Sequence, residues 1–163
     1  MAKPDSGLPK VYVQPGESRM VRKPVVLRTL LGSCVGITFW VPRLGLAAIC
    51  HAMLPRYPAK PPPKPSRSAG RRYVDFAIRD LARQFDRLGV SRSEVQVKLF
   101  GGGDVLPVDE ASRPTVGQLN CESALETLRE EGFDVIASSL GGTSGLKIQF
   151  NTETGDVLLQ RLD

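Results

Sequence analysis

The chain has 163 residues, of which 41% are hydrophobic and 24% are charged, with three cysteines and one histidine. One imidazole excludes a zinc site built on two or three histidines of this chain, and it leaves His51 as the only residue for histidine-dependent catalysis. Three thiols cannot all pair, so we expect Cys34, Cys50 and Cys121 to be free in a reducing compartment, the cytoplasm. We expect neither a signal peptide nor membrane insertion, because no uncharged apolar run reaches the roughly 20 residues that span a bilayer.

The net charge of +5 is unevenly distributed along the chain. Residues 1–79 hold 14 lysines and arginines against 3 acids, a net +11, and residues 80–163 hold 8 against 14, a net −6. Only 6% of the residues are aromatic, so few side chains are available to stack against nucleic acid bases. The pattern favours an acidic protein partner over a nucleic acid.

The first third of the chain is rich in strand signals. Short β-prone pieces at 11–13 and 18–21 flank a Pro15-Gly16 turn. Three longer runs are apolar on both faces, so we predict that they are buried central strands: 25–31, 34–41 and 46–53.

Residues 54–72 form a proline-rich basic segment. Six prolines alternate there with six lysines and arginines, and proline at that density blocks both helix and sheet hydrogen bonding. We predict a solvated surface loop, and the alternative is a basic lid or docking loop.

The remaining pattern predicts two main helices and four strands. Apolar residues recur at helical spacing over 73–88 and again over about 116–131, where Leu119, Ala124, Leu125 and Leu128 would face inward. Strands are expected at 95–100, 135–140, 146–150 and 157–162. This order predicts a single α+β layered domain over 1–163, with mixed or antiparallel sheets, two packed helices and a flexible N-terminus at 1–10.

Cys34 follows a Gly32-Ser33 bend between two predicted strands. A thiol at such a bend can stand clear of a sheet, and the backbone N–H groups near Ser33 and Cys34 can face a developing oxyanion. The alternative is that Cys34 is a small buried hydrophobic residue, as most free cysteines are.

His51 lies on the strand that follows. If 34–41 and 46–53 pair as an antiparallel hairpin, Cys34 and His51 meet at its open end, and a base beside the thiol would lower the thiol pKa. Thr29 lies close to Cys34 in the sequence, so its hydroxyl or backbone carbonyl could hold a ring nitrogen of His51. The alternatives are a neutral structural histidine and a threonine that merely favours a strand.

Other candidate residues have simpler interpretations. Cys50 should point away from His51, and Cys121 lies near the inward stripe of the second helix, so both are expected to be core thiols. The glycine clusters 101–103 and 141–145 match no phosphate loop, and they predict close backbone approach beside the site or tight turns.

Five sequence blocks together resemble the bacterial chemoreceptor glutamine deamidases, CheD, over about Val25 to Val157. They are Leu31-Gly32-Ser33-Cys34-Val35, His51 with Met53-Leu54-Pro55, Arg72-Tyr73-Val74 with Ala77, Leu99-Phe100-Gly101-Gly102, and Gly141-Gly142 with Gly145.

The resemblance implies a cysteine-hydrolase fold shared with toxin deamidases. It implies conversion of glutamines of methyl-accepting chemotaxis receptors to glutamate and ammonia, a reaction that needs no metal or organic cofactor. The family's catalytic residues correspond to Cys34, His51 and Thr29. For Thr29, only the resemblance favours a role in catalysis over that of an ordinary threonine in a strand. Gly32, Ser33, Gly101 and Gly102 would lie around the oxyanion and substrate. A second implied partner is a CheC-type phosphatase.

Two departures from the family pattern concern arginines. Leu119-Asn120 stands where the family usually has Arg-Asn ahead of the second helix, and Leu146 stands where an arginine often follows the glycine turn. These changes bear on substrate or partner contacts rather than on the chemistry. Two other functions remain open: a non-catalytic docking module that regulates a phosphatase, and a cysteine peptidase or transglutaminase that uses the same pair.

Overall fold

The computed structural model describes residues 7–60 and 66–163. The expectations for residues 1–6 and for 61–65 of the proline-rich segment lie outside the described residues. The strands are β1 Lys10–Tyr12, β2 Ser18–Val21, β3 Val26–Leu31, β4 Val35–Val41, β5 Leu46–Ala52, β6 Gln96–Gly101, β7 Val135–Leu140, β8 Gly145–Asn151 and β9 Val157–Leu162. The α-helices are α1 Arg67–Gly70, α2 Val74–Arg87 and α3 Val116–Glu130.

The strands form two sheets that pack in layers with the helices. A five-stranded sheet, in the order β2-β5-β4-β6-β7, has α2 and α3 on one face and a four-stranded sheet, β1-β3-β8-β9, on the other. Successive residues of β5 therefore enter different cores: Ala48 and Cys50 face the helices, whereas Ala47 and Ile49 face the second sheet. This α+β architecture confirms the predicted fold class.

The layer order explains which apolar runs are buried on both faces. Nearly every residue of β4 and all residues of β5 are buried, because these strands are central in the middle layer. The same prediction for 25–31 is wrong on one face. β3 belongs to the outer sheet, so Leu27, Thr29 and Leu31 point into the core while Leu30 is 46% exposed.

The inward face of α3 is more polar than the apolar periodicity predicts. Leu125 is exposed, which corrects its assignment to the core, and Leu119 is only half-buried. The buried positions of this helix include Asn120, Ser123 and Thr127. The physical reason is that the helix packs against loop carbonyls, which accept hydrogen bonds from Asn120 and Ser123.

Most described residues of the proline-rich segment are exposed, as predicted for a surface loop, but the segment is not wholly irregular. It contains the one-turn helix α1, which is capped by the side chain of Ser66. Arg67 and Arg71 both form ion pairs with Asp80 of α2, and Arg56 pairs with Glu126 of α3. Three of the six basic residues of this segment therefore form ion pairs within the molecule. No helix in the described ranges is long and apolar enough to cross a membrane.

Candidate active site

The β4–β5 hairpin places Cys34 and His51 on one face of the middle sheet. The strands pair antiparallel with Gly36 opposite His51, so Cys34, two residues before Gly36, is a diagonal neighbour of His51. Cys34 is partly buried against the core between the sheets, the side on which His51 also lies. The imidazole Nε2 is buried and has no hydrogen-bond partner among the described residues. The pair is thus brought to one face without a hydrogen bond between thiol and imidazole.

A threonine of the other sheet holds the second ring nitrogen. The Thr29 hydroxyl, which is completely buried, lies 2.6 Å from His51 Nδ1 and donates to the Val13 carbonyl at 2.8 Å. A hydroxyl has a single proton, and a carbonyl can only accept, so Thr29 must accept a hydrogen bond from Nδ1–H. The neutral imidazole is therefore protonated at Nδ1, and the lone pair of Nε2 is free to take a proton.

Burial keeps both members of the pair neutral at rest. It lowers the pKa of His51 to about 4. Burial also raises the pKa of the Cys34 thiol, opposed by a hydrogen bond from its own backbone N–H. The expectation that the imidazole lowers the thiol pKa is wrong for this arrangement. The geometry instead suits general-base catalysis, in which the proton leaves sulfur during attack.

Backbone bonds from the glycine cluster fix the bend that carries the thiol. Gly102 N–H donates to the Cys34 carbonyl at 2.8 Å, and Gly103 N–H donates to the Gly32 carbonyl at 2.9 Å. The close backbone approach predicted for this cluster is observed. The N–H of Gly102 is engaged by the Cys34 carbonyl, so this residue supports the bend rather than offering a free donor to an oxyanion.

Two N–H groups of the bend remain available. Within the described part of the chain, the N–H groups of Ser33 and Cys34 have no backbone or carboxylate acceptor, and that of Cys34 faces its own thiol. Adjacent N–H groups beside a nucleophile are the donor set that stabilises a tetrahedral oxyanion.

Asn120, which the sequence reasoning noted only as part of a family pattern, is a residue of the site. Its side-chain Nδ2 donates to the Ser33 carbonyl at 2.9 Å and to the Met53 carbonyl at 3.1 Å. The residue lies inside the first turns of α3 rather than ahead of the helix, as the family pattern implied. The signal in the sequence was its spacing: Asn120 lies four positions before the inward Ala124, so both lie on the same face of the helix. A polar side chain buried on that face needs a hydrogen-bond partner.

A largely apolar cavity of about 650 Å³ opens beside the bend. It is bordered by Gly32 and Ser33, and by exposed or half-exposed side chains that include Leu30, Val105 and Leu106. Leu106 is 78% exposed, so the rim presents aliphatic surface to solvent. Neither Cys34 nor His51 lines this cavity, which meets the site at Gly32 and Ser33 of the bend.

The other two thiols have different surroundings from those of Cys34. Cys50 is completely buried on the helix side of β5, and burial raises its pKa to about 12, so the prediction of a core thiol is confirmed. Cys121 is half-buried, with its sulfur 3.9 Å from the Gly101 carbonyl oxygen and 3.7 Å from that of Gly102.

Replacing Gly101 with alanine tests whether the glycine contact positions the nucleophile. Gly101 has φ of 101°, and an added Cβ would collide with the Cys34 carbonyl oxygen. We expect a loss of about 1–3 kcal/mol in the free energy of unfolding, together with reduced activity of the folded protein. Denaturant unfolding and initial rates measure the two effects.

The matched control for this change is Gly141→Ala. Gly141 also has positive φ, 77°, but a Cβ there meets no atom within 4 Å. It should share the backbone strain and keep its activity. Equal effects of both substitutions on the rate would contradict a positioning role for the contact with Cys34.

The buried imidazole predicts a pH dependence of stability. The His51 pKa is lowered to about 4 in the folded state, against about 6.5 for an unperturbed histidine, so the unfolded chain binds the proton first as the pH falls. The free energy of unfolding should therefore drop between pH 6.5 and 4, by about 3 kcal/mol from this group. Denaturant titrations across this range measure the drop.

Carboxylates also titrate in this range, so the comparison is with His51→Gln. The variant lacks the imidazole, and its stability should fall less steeply with decreasing pH. Identical slopes in the two proteins would show that His51 does not titrate as its burial requires.

Comparisons with known proteins identify the family of the chain. A family model described as CheD chemotactic sensory transduction matches residues 53–161. A Geobacter sulfurreducens protein named probable chemoreceptor glutamine deamidase CheD 2 is 45% identical over 96% of this chain and 92% of its own length. A Maridesulfovibrio salexigens protein named probable chemoreceptor glutamine deamidase CheD is 38% identical over 100% of this chain and 98% of its own. The solved structure of YlmD from Geobacillus stearothermophilus covers 76% of this chain and 50% of that one, at 16% identity and a TM-score of 0.48. With this family match and these near full-length relatives, the chain belongs to the CheD family.

Proposed function

We propose that this chain deamidates glutamine side chains of methyl-accepting chemoreceptors, with Cys34 as nucleophile and His51 as general base and acid. The observation that carries the proposal is the Thr29–His51 hydrogen bond, because it leaves the Nε2 lone pair free on the face of the sheet that holds the thiol. Relatives named as chemoreceptor glutamine deamidases supply the substrate class.

The reaction begins with transfer of the Cys34 thiol proton to His51 Nε2 as sulfur attacks the carboxamide carbon. The oxyanion that forms accepts hydrogen bonds from the N–H groups of Ser33 and Cys34. Protonated His51 then gives its proton to the departing nitrogen, which leaves as ammonia, and a thioester remains on Cys34. His51 takes a proton from water as hydroxide attacks the thioester carbon. The carbon–sulfur bond then breaks to release glutamate, and protonated His51 returns the proton to sulfur, which restores the thiol.

The cavity beside the bend supports entry of a side chain from a folded protein. The glutamine amide would reach the bend at Gly32 and Ser33, while aliphatic side chains that neighbour it in the receptor would contact Leu30 and Leu106. Apolar contacts of this kind position a substrate without competing for the donors that bind the oxyanion.

Two partners are proposed for the chain. The receptors are its proposed substrates, and a CheC-type phosphatase is proposed as a second partner on the family resemblance alone. We propose that the reaction takes place in the cytoplasm, where free thiols such as these three stay reduced. A purely docking function has less support than the sequence indicated, because Arg56, Arg67 and Arg71 are engaged in internal ion pairs.

The test is incubation of the purified protein with purified receptors of the same cell, followed by ammonia measurement and peptide mass mapping. Deamidation predicts ammonia release and a gain of about one dalton at specific glutamines. Peptide cleavage or amine cross-linking in place of that gain would instead identify a peptidase or transglutaminase. A receptor of unchanged mass with no ammonia released would contradict the proposal.

A further inference from the structure

We propose that Asn120 is a positioning residue that fixes the orientation of the Ser33–Cys34 peptide group, so that the Cys34 N–H faces the oxyanion. The inference rests on the proposed function, because it assigns that N–H to the oxyanion of the same reaction. It adds a side chain of α3 to a site otherwise built from two β-sheets.

The first support is the completeness of burial and the chemistry of the two acceptors. Asn120 is 0% exposed, and the same nitrogen contacts the Ser33 and Met53 carbonyls. Carbonyl oxygens only accept hydrogen bonds, so the side-chain NH₂ must face them, and both of its hydrogens are used. The orientation of this amide is therefore fixed by its partners.

The second support is the geometry of a trans peptide group. In a planar trans peptide the C=O and the following N–H point in opposite directions. The Ser33–Cys34 bond is trans, so the hydrogen bond that draws the Ser33 carbonyl toward Asn120 turns the Cys34 N–H away from the helix. Directed away from the helix, that N–H is available to the oxyanion that forms beside the thiol.

The flanking peptide groups of the bend are held in the same way but by backbone donors. Gly103 N–H holds the Gly32 carbonyl, and Gly102 N–H holds the Cys34 carbonyl. Of three consecutive carbonyls, the central one alone depends on a side chain. This central carbonyl, that of Ser33, belongs to the same peptide group as the Cys34 N–H and so sets the direction of that N–H. Because its donor is a side chain, a substitution can remove the hydrogen bond that holds it.

The second hydrogen bond of Asn120 ties the bend to the strand that carries the base. Met53 lies two residues after His51, directly beyond the end of β5. One amide therefore sets the spacing between the chain segment of the nucleophile and that of the base. Such an arrangement holds the site before substrate binds, which is the condition for electrostatic stabilisation of a transition state.

The test separates oxyanion stabilisation from reactivity of the thiol. Alkylation of Cys34 by iodoacetamide is a displacement at carbon and forms no oxyanion, whereas deamidation and acetylation by p-nitrophenyl acetate both form one. Each is measured on Asn120→Ala, with modification of Cys34 quantified on its own peptide by mass spectrometry. We expect kcat and the acetylation rate to fall roughly a hundredfold, with KM and the alkylation rate within about threefold of native.

The matched control is Ser123→Ala. Ser123 lies on the same inward face of α3 and donates to the Pro55 carbonyl, so its loss removes a buried hydrogen bond to the neighbouring loop without releasing the bend. Its rates should stay near native. If Asn120→Ala folds poorly, Asn120→Ser replaces it, since serine leaves space for water and cannot hold both carbonyls; the same pattern is expected.

Three results would overturn the inference: native rates in folded Asn120→Ala, equal losses in alkylation and acetylation, or a loss that matches the unfolded fraction. Failure of the proposed function is a separate outcome. Native protein that is acetylated on Cys34 but deamidates no receptor glutamine removes the receptor function, while the comparison of acetylation with alkylation still decides the role of Asn120.

Discussion

Cys34→Ala is expected to abolish deamidation while leaving the fold intact. Without sulfur no thioester can form, and the rate should fall by at least roughly a thousandfold, as for loss of other covalent nucleophiles. Cys34 lies just outside β4 and is only partly buried, so loss of its side chain leaves a small space at the margin of the core. Ammonia release and thermal unfolding measure the two effects.

Cys121→Ala is the matched control for this substitution. Cys121 is also a half-buried free thiol, but it lies on α3 with its sulfur against the carbonyls of Gly101 and Gly102. Its replacement should leave most of the activity. Equal activity of Cys34→Ala and the native protein would remove Cys34 as the nucleophile.

His51→Gln is expected to produce the second largest loss. The structure leaves the thiol neutral at rest, with its pKa raised by burial, so attack requires a base to take the proton. Removal of a general base costs about 10²–10⁴ in rate. Alkylation of Cys34 by iodoacetamide should slow as well, which distinguishes loss of the base from loss of an oxyanion donor.

Thr29 offers a control for the role assigned to His51. Thr29→Ser keeps the hydroxyl that accepts from Nδ1, so it should retain activity, whereas Thr29→Val removes the hydroxyl and leaves Nδ1–H buried without an acceptor. For the His51→Gln variant itself, native rates of turnover and of Cys34 alkylation would show that a group other than His51 accepts the thiol proton.

The folded structure weakens the argument that the uneven charge distribution marks a docking surface. The sequence separates a basic half from an acidic half, and this separation favoured a docking surface. In the structure the two halves pair with each other: Arg43 with Glu94, Arg56 with Glu126, and Arg67 with Asp80. Charges satisfied within the molecule contribute less to a partner surface, and no local pattern in the sequence reports such pairing.

Patterns of short range were predictable from the sequence. The Pro42 to Gly45 turn between two apolar runs was sufficient to predict an antiparallel hairpin, and its register brings Cys34 and His51 to one face. The helical periodicity that predicted 73–88 and 116–131 corresponds to α2 and α3. Periodicity shows which residues share a face but not what lies against that face. The polar inner side of α3 was missed for that reason.

The sequence by itself predicted the cysteine–histidine pair, since a short connection brings Cys34 and the only imidazole to the same end of a hairpin, and strand alternation turns Cys50 to the other face. Only the tertiary structure decided what surrounds the pair. Thr29 reaches His51 from the other sheet, and Asn120 reaches Ser33 from a helix 87 residues away. Hydrogen bonds between such distant elements depend on how the layers stack, and stacking leaves no periodic signal in the residues that it joins.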